Sequence, residues 1–142
     1  MYSTADQEFV IQSLLPILEG KHGFKCCIHY RDFPVGVPFI KNMEDSIYKS
    51  RKTIAVVSRN FFESQYCCSE LEMARHRLLE NGDESVVIIK FDDVEREKLP
   101  RVLRERSYID YTKSTDRETW ESKLVKFLRA GRHEQSKRKV QA

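Results

Sequence analysis

Two stretches, KTIAVVS at Lys52 to Ser58 and SVVIIKF at Ser85 to Phe91, are continuous apolar runs without polar alternation, and each is short enough for a strand. Strands of that kind are buried on both faces, which is the situation inside a parallel sheet whose crossover helices cover both sides. The surrounding segments supply those helices. Asp6 to Gly20 carries Phe9, Val10, Leu14, Ile17 and Leu18 near helical spacing, with Pro16 expected to disturb its hydrogen bonding and Gly20 or Gly23 to turn the chain out. Pro38 to Lys49 places Phe39, Met43, Ile47 and Tyr48 on one helical face. Asn60 to Glu80 repeats the pattern through Phe61, Phe62, Leu71, Met73, Ala74, Leu78 and Leu79, its first turn set apart, and Asn81-Gly82-Asp83 is a stop signal. Asp92 to Arg106, around Pro100, reads as a loop with a short helix, and Ser107 to Tyr111 as a shorter strand. Thr115 to Ala130 closes the fold as a helix burying Trp120, Leu124, Phe127 and Leu128. The expected class is α/β, a flavodoxin-like parallel sheet with helices on both faces.

A further strand, Phe24 to Tyr30, is read from the alternation of Phe24, Cys26, Ile28 and Tyr30 with Lys25, Cys27 and His29. Arg31-Asp32-Phe33-Pro34-Val35-Gly36-Val37 follows as a shaped loop, since Pro34 fixes φ, Gly36 accepts positive φ and Pro38 suits a helix start. A loop held between rigid elements is a natural recognition surface. On this reading Arg31 to Val37, Asp32 included, is the interaction loop: Arg31 supplies charged contacts, Phe33, Val35 and Val37 apolar ones, and Pro34 with Gly36 preserves the shape, while the bland reading of Arg31 and Asp32 is a charged pair that caps the strand end.

The run His29-Tyr30-Arg31-Asp32-Phe33, with Pro34 and Gly36, resembles the loop after the second strand of Toll/interleukin-1 receptor (TIR) domains, most nearly those of Toll-like receptors. The family motif is RDxxPG, whereas here Pro34 stands one place early and Val35 precedes Gly36. SRNFFESQYCCSELEMA at Ser58 to Ala74 resembles the third helix region of the same family, and its Phe-Trp pair is reduced to Thr119-Trp120. The family's first strand, ending in Ser-Tyr-Ser, survives only as Tyr2-Ser3. In the family that strand lies between the second and third strands, so its loss implies two unpaired edges and reduced stability.

The resemblance implies a cytoplasmic signalling module that recruits TIR-containing adaptors, and pairs weakly with itself and other TIR domains, in innate immune receptor signalling. It also leaves an enzymatic alternative. TIR domains that hydrolyse NAD use a glutamate on the third helix, Glu70 holds the matching position, and Tyr66 one turn earlier would border the ribose. Scaffold receptors share the segment, so the binding reading is preferred. No cofactor is implied, NAD entering only as substrate under the alternative.

Length and composition agree with this. The 142 residues, 40 % apolar, suit one domain over 1–130 with a basic flexible tail over 131–142. That tail, with Arg132, Lys137, Arg138 and Lys139 against Glu134, accounts for the formal charge of +3. A few tail charges do not make the basic face of a nucleic-acid binder. No apolar run approaches the ~20 residues of a membrane span, and no signal-peptide pattern opens the chain, so it is expected to be soluble as given, reaching a membrane only through a receptor segment absent from it. Cys26-Cys27 and Cys67-Cys68 lack metal spacing and read as reduced thiols. No metal site is expected, since His22, His29, His76 and His133 lack ligand spacing and Asp92-Asp93 reads as an acidic loop.

Overall fold

The computed structural model describes residues 1–81, 86–99, 101–104, 108–130 and 139–141. The first helix, α1 (4–21), is a composite of a 3-10 turn at Thr4–Asp6, an α turn at Gln7–Phe9 and wide π turns at Val10–Leu14 and Pro16–Lys21. Pro16 bends the rule rather than ending the helix, because a wide turn accommodates the residue that lacks an N–H. The remaining elements are β1 (Cys26–Cys27), α2 (His29–Asp32), α3 (Phe39–Lys49), β2 (Ser50–Val57), α4 (Arg59–Glu63), α5 (Gln65–Asn81), β3 (Val86–Lys90), α6 (Arg101–Arg104), β4 (Ile109–Asp110), α7 (Ser114–Arg129) and β5 (Lys139–Gln141). A 3-10 turn at Arg96–Lys98 precedes α6. The expected stop at Gly82-Asp83, and the ends at Ser85, Pro100 and Ser107, lie outside the described residues.

All five strands form one parallel sheet in the order β1-β5-β2-β3-β4. β2 and β3 are its core pair, joined from Thr53↔Val86 to Val57↔Lys90. The alternation of a pleated strand divides their side chains between two layers. Ile54, Val56, Val87 and Ile89 pack with α1 and α7 through Val10, Leu14, Leu18, Leu124 and Leu128. Ala55, Val57, Val86 and Ile88 face the opposite layer, with Phe61, Cys67, Leu71 and Ala74 of α4 and α5. Helices on both faces explain why the two runs carry no polar alternation.

Two expectations change. The strand read over Phe24 to Tyr30 is only Cys26–Cys27, and His29–Asp32 forms a helical turn. That turn closes locally, since the Asp32 amide donates to the Ile28 carbonyl at 2.8 Å and the Ile28 amide donates to Asp32 Oδ2 at 2.9 Å. These bonds satisfy the backbone without a sheet partner. The second change is at the other end of the chain. Lys139–Gln141, read from sequence as part of a flexible tail, is the strand β5 between β1 and β2, pairing with two residues of β1 and three of β2. Residues 131–138 and 142 lie outside the described residues.

α7 is pinned by two carboxylates. Asp116 accepts from Lys123 Nζ at 2.6 Å and from the Asp110 amide at 2.9 Å, and these bonds hold its pKa below the ordinary 3.8. Glu121 accepts from Lys21 Nζ at 2.6 Å, with His22 Nε2 at 2.9 Å, and is likewise held below 4.5. A depressed carboxylate stabilises the fold above its unfolded pKa and loses that contribution as pH falls through the folded value. Thermal melts should therefore be flat above about pH 5 and fall progressively below about pH 4. Asp116→Asn should flatten part of that acid limb, and an unchanged profile would remove these groups from the account.

Candidate interaction loop

The loop is built on a fork. Arg31, the third residue of α2, donates through Nη1 and Nη2 to the two carboxylate oxygens of Glu19 at 2.8 and 3.0 Å. Nε and Nη2 also reach Asp32 at 3.0 and 2.9 Å, and Nη2 donates to the Cys26 carbonyl at 3.0 Å. One guanidinium thus ties α1, the end of β1 and the entry to the loop together. These bonds, Glu19 first and Asp32 second, raise the pKa of Arg31 further above an already high value. From sequence, Arg31 and Asp32 belong to the interaction loop, with Arg31 expected to make charged contacts and a strand-end cap as the alternative for the pair. The structure brings the two together with Glu19, which no local motif indicates because it lies on a different element.

Beyond the fork, Phe33 packs on Phe39 with ring centroids 5.5 Å apart, and Asn42 Nδ2 donates to the Pro34 carbonyl at 3.2 Å. Gly36 has φ +86°, close to the roughly +80° that the third residue of a type II turn requires. The early proline therefore leaves the positive-φ demand on Gly36. Val35, at the tip, is fully exposed at 101 %, and Val37 is half-buried. Pro38 precedes α3 as its N-cap residue rather than lying inside the first turn.

α3 extends this apolar surface. Met43 and Ile47 are buried as expected, but Phe39 and Tyr48, read as part of the same buried face, are 37 % and 43 % exposed. The half-turn offset of Tyr48 and the position of Phe39 at the helix start turn both toward solvent. Ile40, which the periodicity left off the buried face, is 47 % exposed beside them. An apolar residue out of phase next to a shaped loop was the available signal for it. Below the loop lies a cleft of ≈ 190 Å³ lined by Cys27, Phe33, Pro34, Asn42 and Ser46 among others.

The other predicted residues lie elsewhere. Glu70, on α5, is 2 % exposed, in the layer that holds Cys67 and Leu71. Its charge raises the pKa of the nearby Met1 ammonium, against the larger lowering by burial. The side chains of Tyr66, His29 and Tyr30 lie outside the described residues. All four cysteines are free; burial pushes the Cys26 thiol up to about 12 and the Cys67 thiol up to about 11, while Cys68 is exposed. Among the described residues no group of three or more His, Cys, Asp or Glu is placed to hold a metal ion, and no helix is long and apolar enough to cross a membrane.

Comparison with known proteins agrees with this geometry. A family model described as "TIR domain" matches residues 1–128. Toll-like receptor 2 of Mus musculus is 31 % identical over 118 residues, covering 78 % of this chain and 15 % of the receptor. Toll-like receptor 2 of Ovis aries is 33 % identical over 128 residues, covering 84 % of this chain and 16 % of the receptor. Toll-like receptor 6 of Bos taurus is 32 % identical over 119 residues, covering 79 % and 15 %. The chain thus spans about 15 % of the length of these curated relatives. The crystal structure of the TIR domain of the Toll-related receptor TRR-2 from Hydra magnipapillata superposes with a TM-score of 0.74 at 25 % identity, covering 89 % of this chain and 94 % of that one. With its doubly covered parallel sheet, its loop between β1 and α3, and a family match that runs through α7, the chain belongs to the TIR domain family.

Proposed function

We propose that this domain works on the cytosolic side of a membrane receptor, in innate immune signalling, and recruits TIR-containing adaptors by TIR–TIR contact through the loop 31–37 and the start of α3. The observation that carries this reading is the exposure of the apolar residues Val35, at the tip of a loop whose base is tied by Arg31, and Phe39 and Ile40, at the start of the helix that follows it. A preformed loop loses little entropy on docking, and an exposed apolar group in a polar rim is the form of an interaction surface. Each contact is weak alone, and receptor clustering raises the effective concentration. No cofactor takes part.

Val35→Asp places a charge at the tip without touching the fold. It should lower capture of a full-length TIR adaptor about ten-fold, or about 1.4 kcal/mol, since a charge at the loop tip is only partly desolvated at the interface, with an unchanged melting temperature. Capture at the wild-type level would remove Val35 from the surface. In this reading Glu70 is a buried structural acid. Nicotinamide release from NAD by the concentrated domain, lost in Glu70→Gln, would replace the scaffold reading with that of an NAD glycohydrolase.

A further inference from the structure

In a parallel sheet the covering helices run against the strands, so helix C-termini gather at the end where the strands begin. The partial negative charge of those termini favours cations, and this chain places Lys21 at the close of α1 and Lys126 and Arg129 at the close of α7. α7 buries Trp120, Leu124, Val125 and Leu128, which leaves Ser122, Lys126 and Arg129 exposed. A groove of ≈ 690 Å³ lies between the two helix ends, with buried Val125 at its base and His22, Ser122, Lys126 and Arg129 around it. The carboxylate in it, Glu121, accepts from Lys21 Nζ at 2.6 Å and faces His22 Nε2 at 2.9 Å. Lys126 and Arg129 differ from Arg59, Arg75 and Lys123, which hold Asp93, Glu72 and Asp116. Among the described residues neither has a carboxylate within ion-pair distance, and the Arg129 guanidinium lies 5.8 Å from the Phe24 ring centroid. Arg51 reaches the same end, donating to the Ala130 carbonyl at 3.0 Å, and exposed Lys25 follows Phe24.

We propose that this end of the domain rests on an anionic lipid surface, with Lys126 and Arg129 on headgroup phosphates and carboxylates and Lys21, Lys25 and Arg51 beside them. Clusters that hold such surfaces usually number ~4–8 basic residues, and this set falls in that range. A cation without an internal partner gives up no ion pair on docking, whereas one already matched with a carboxylate adds little net charge. The long stems of Lys126 and Arg129 can lie along the apolar base of the groove while their heads reach the headgroups. A nucleic-acid face would need aromatic side chains on which bases stack, and among the described residues no Phe, Tyr or Trp lines the groove. The choice of a bilayer over another polyanion rests on the receptor reading above, which sets the domain beside one. The two readings fit together in space. The loop 31–37 follows β1 and precedes α3, so it lies at the end of the parallel sheet where the strands finish. A domain lying on its basic end therefore holds the loop away from the membrane, toward an arriving adaptor.

Cosedimentation of the full chain tests this, with phosphatidylcholine vesicles alone or carrying about 30 mol % phosphatidylserine, at roughly 0.1 M salt. Binding is expected only with phosphatidylserine, and should fall more than about ten-fold by roughly 0.5 M salt as the charges are screened. Lys126→Gln with Arg129→Gln should weaken it about thirty-fold, the effect of two cations at such a surface. Ser122→Glu should weaken it and Ser122→Lys strengthen it, each about five-fold, since both place one charge beside the groove. Two further pairs make the same change of charge elsewhere: Arg96→Gln with Lys98→Gln, on the exposed turn after β3, and Lys137→Gln with Arg138→Gln. The first should cost less than about two-fold and the second less than about five-fold. The inference is overturned if vesicles of both compositions bind equally well or neither binds, if either control pair costs as much as Lys126 with Arg129, or if the two Ser122 variants shift binding in the same direction. It is also overturned if the groove pair governs binding of a single-stranded RNA oligonucleotide while vesicles are ignored. Melting curves establish that every variant is folded. Adaptor capture without vesicles should be unchanged by the groove pair, so failure of this inference and failure of the adaptor reading show in separate assays.

Discussion

Arg31→Ala should lower adaptor recruitment by roughly 30- to 1,000-fold, the range of ~2–4 kcal/mol seen when a central interface residue is truncated. The loss would arise through the loop's base, because the guanidinium faces Glu19, Asp32 and the Cys26 carbonyl. Removing it leaves two carboxylates within one small region and a carbonyl without its donor, and the loop samples conformations it does not visit when tied. Glu19→Gln separates this from direct contact. It keeps a hydrogen-bond acceptor, removes one charge and lies outside the loop, so an indirect role predicts a smaller loss of the same kind, about ten-fold. Amide exchange over 33–37 should speed up in both variants in proportion to the loss of recruitment. If Glu19→Gln leaves recruitment and exchange unchanged while Arg31→Ala removes binding, Arg31 contacts the partner itself and the fork is incidental.

Trp120→Ala should be the most destabilising single truncation in the α7 layer, costing about 3–5 kcal/mol. Trp120, the sole tryptophan, is 9 % exposed. Its ring lies 6.4 Å from those of both Phe9 and Tyr111, in tilted and edge-on arrangements, and Phe9 in turn lies 4.7 Å from Phe91. The cluster joins α1, the end of β3, the turn after β4 and α7, so truncation opens a cavity that four elements would have to collapse to fill. Against a typical total of ~5–15 kcal/mol this is a large fraction, and the melting temperature should fall on the order of 10–20 °C. Trp120→Phe keeps most of the ring and should lose less than half as much. Thermal denaturation followed by circular dichroism measures both, and a shift under about 2 °C for Trp120→Ala would place the residue outside the core.

The helices and the two central strands were legible because their burial is written in periodicity. β2 and β3 bury both faces, α5 and α7 bury one, and each pattern survives without knowledge of its neighbours. The loop was legible through Pro34 and Gly36, whose backbone restrictions are local. Phe39 and Tyr48 were misplaced because periodicity shows which residues share a helix face, and packing decides how far round the helix that face is covered. β1 was overestimated because alternation gives a strand's propensity, whereas its length depends on the partner it finds.

By itself the sequence determined the α/β class, the order of its principal elements and the shaped loop over 31–37, since these follow from side-chain period and from the φ limits of proline and glycine. Tertiary structure alone decided that Arg31 is bound to Glu19 and that Lys139–Gln141 completes the sheet beside Met1. The reason is the same in both cases. An ion pair between separate elements and a backbone ladder depend on which segments the fold brings together, and a ladder is nearly blind to the side chains that build it.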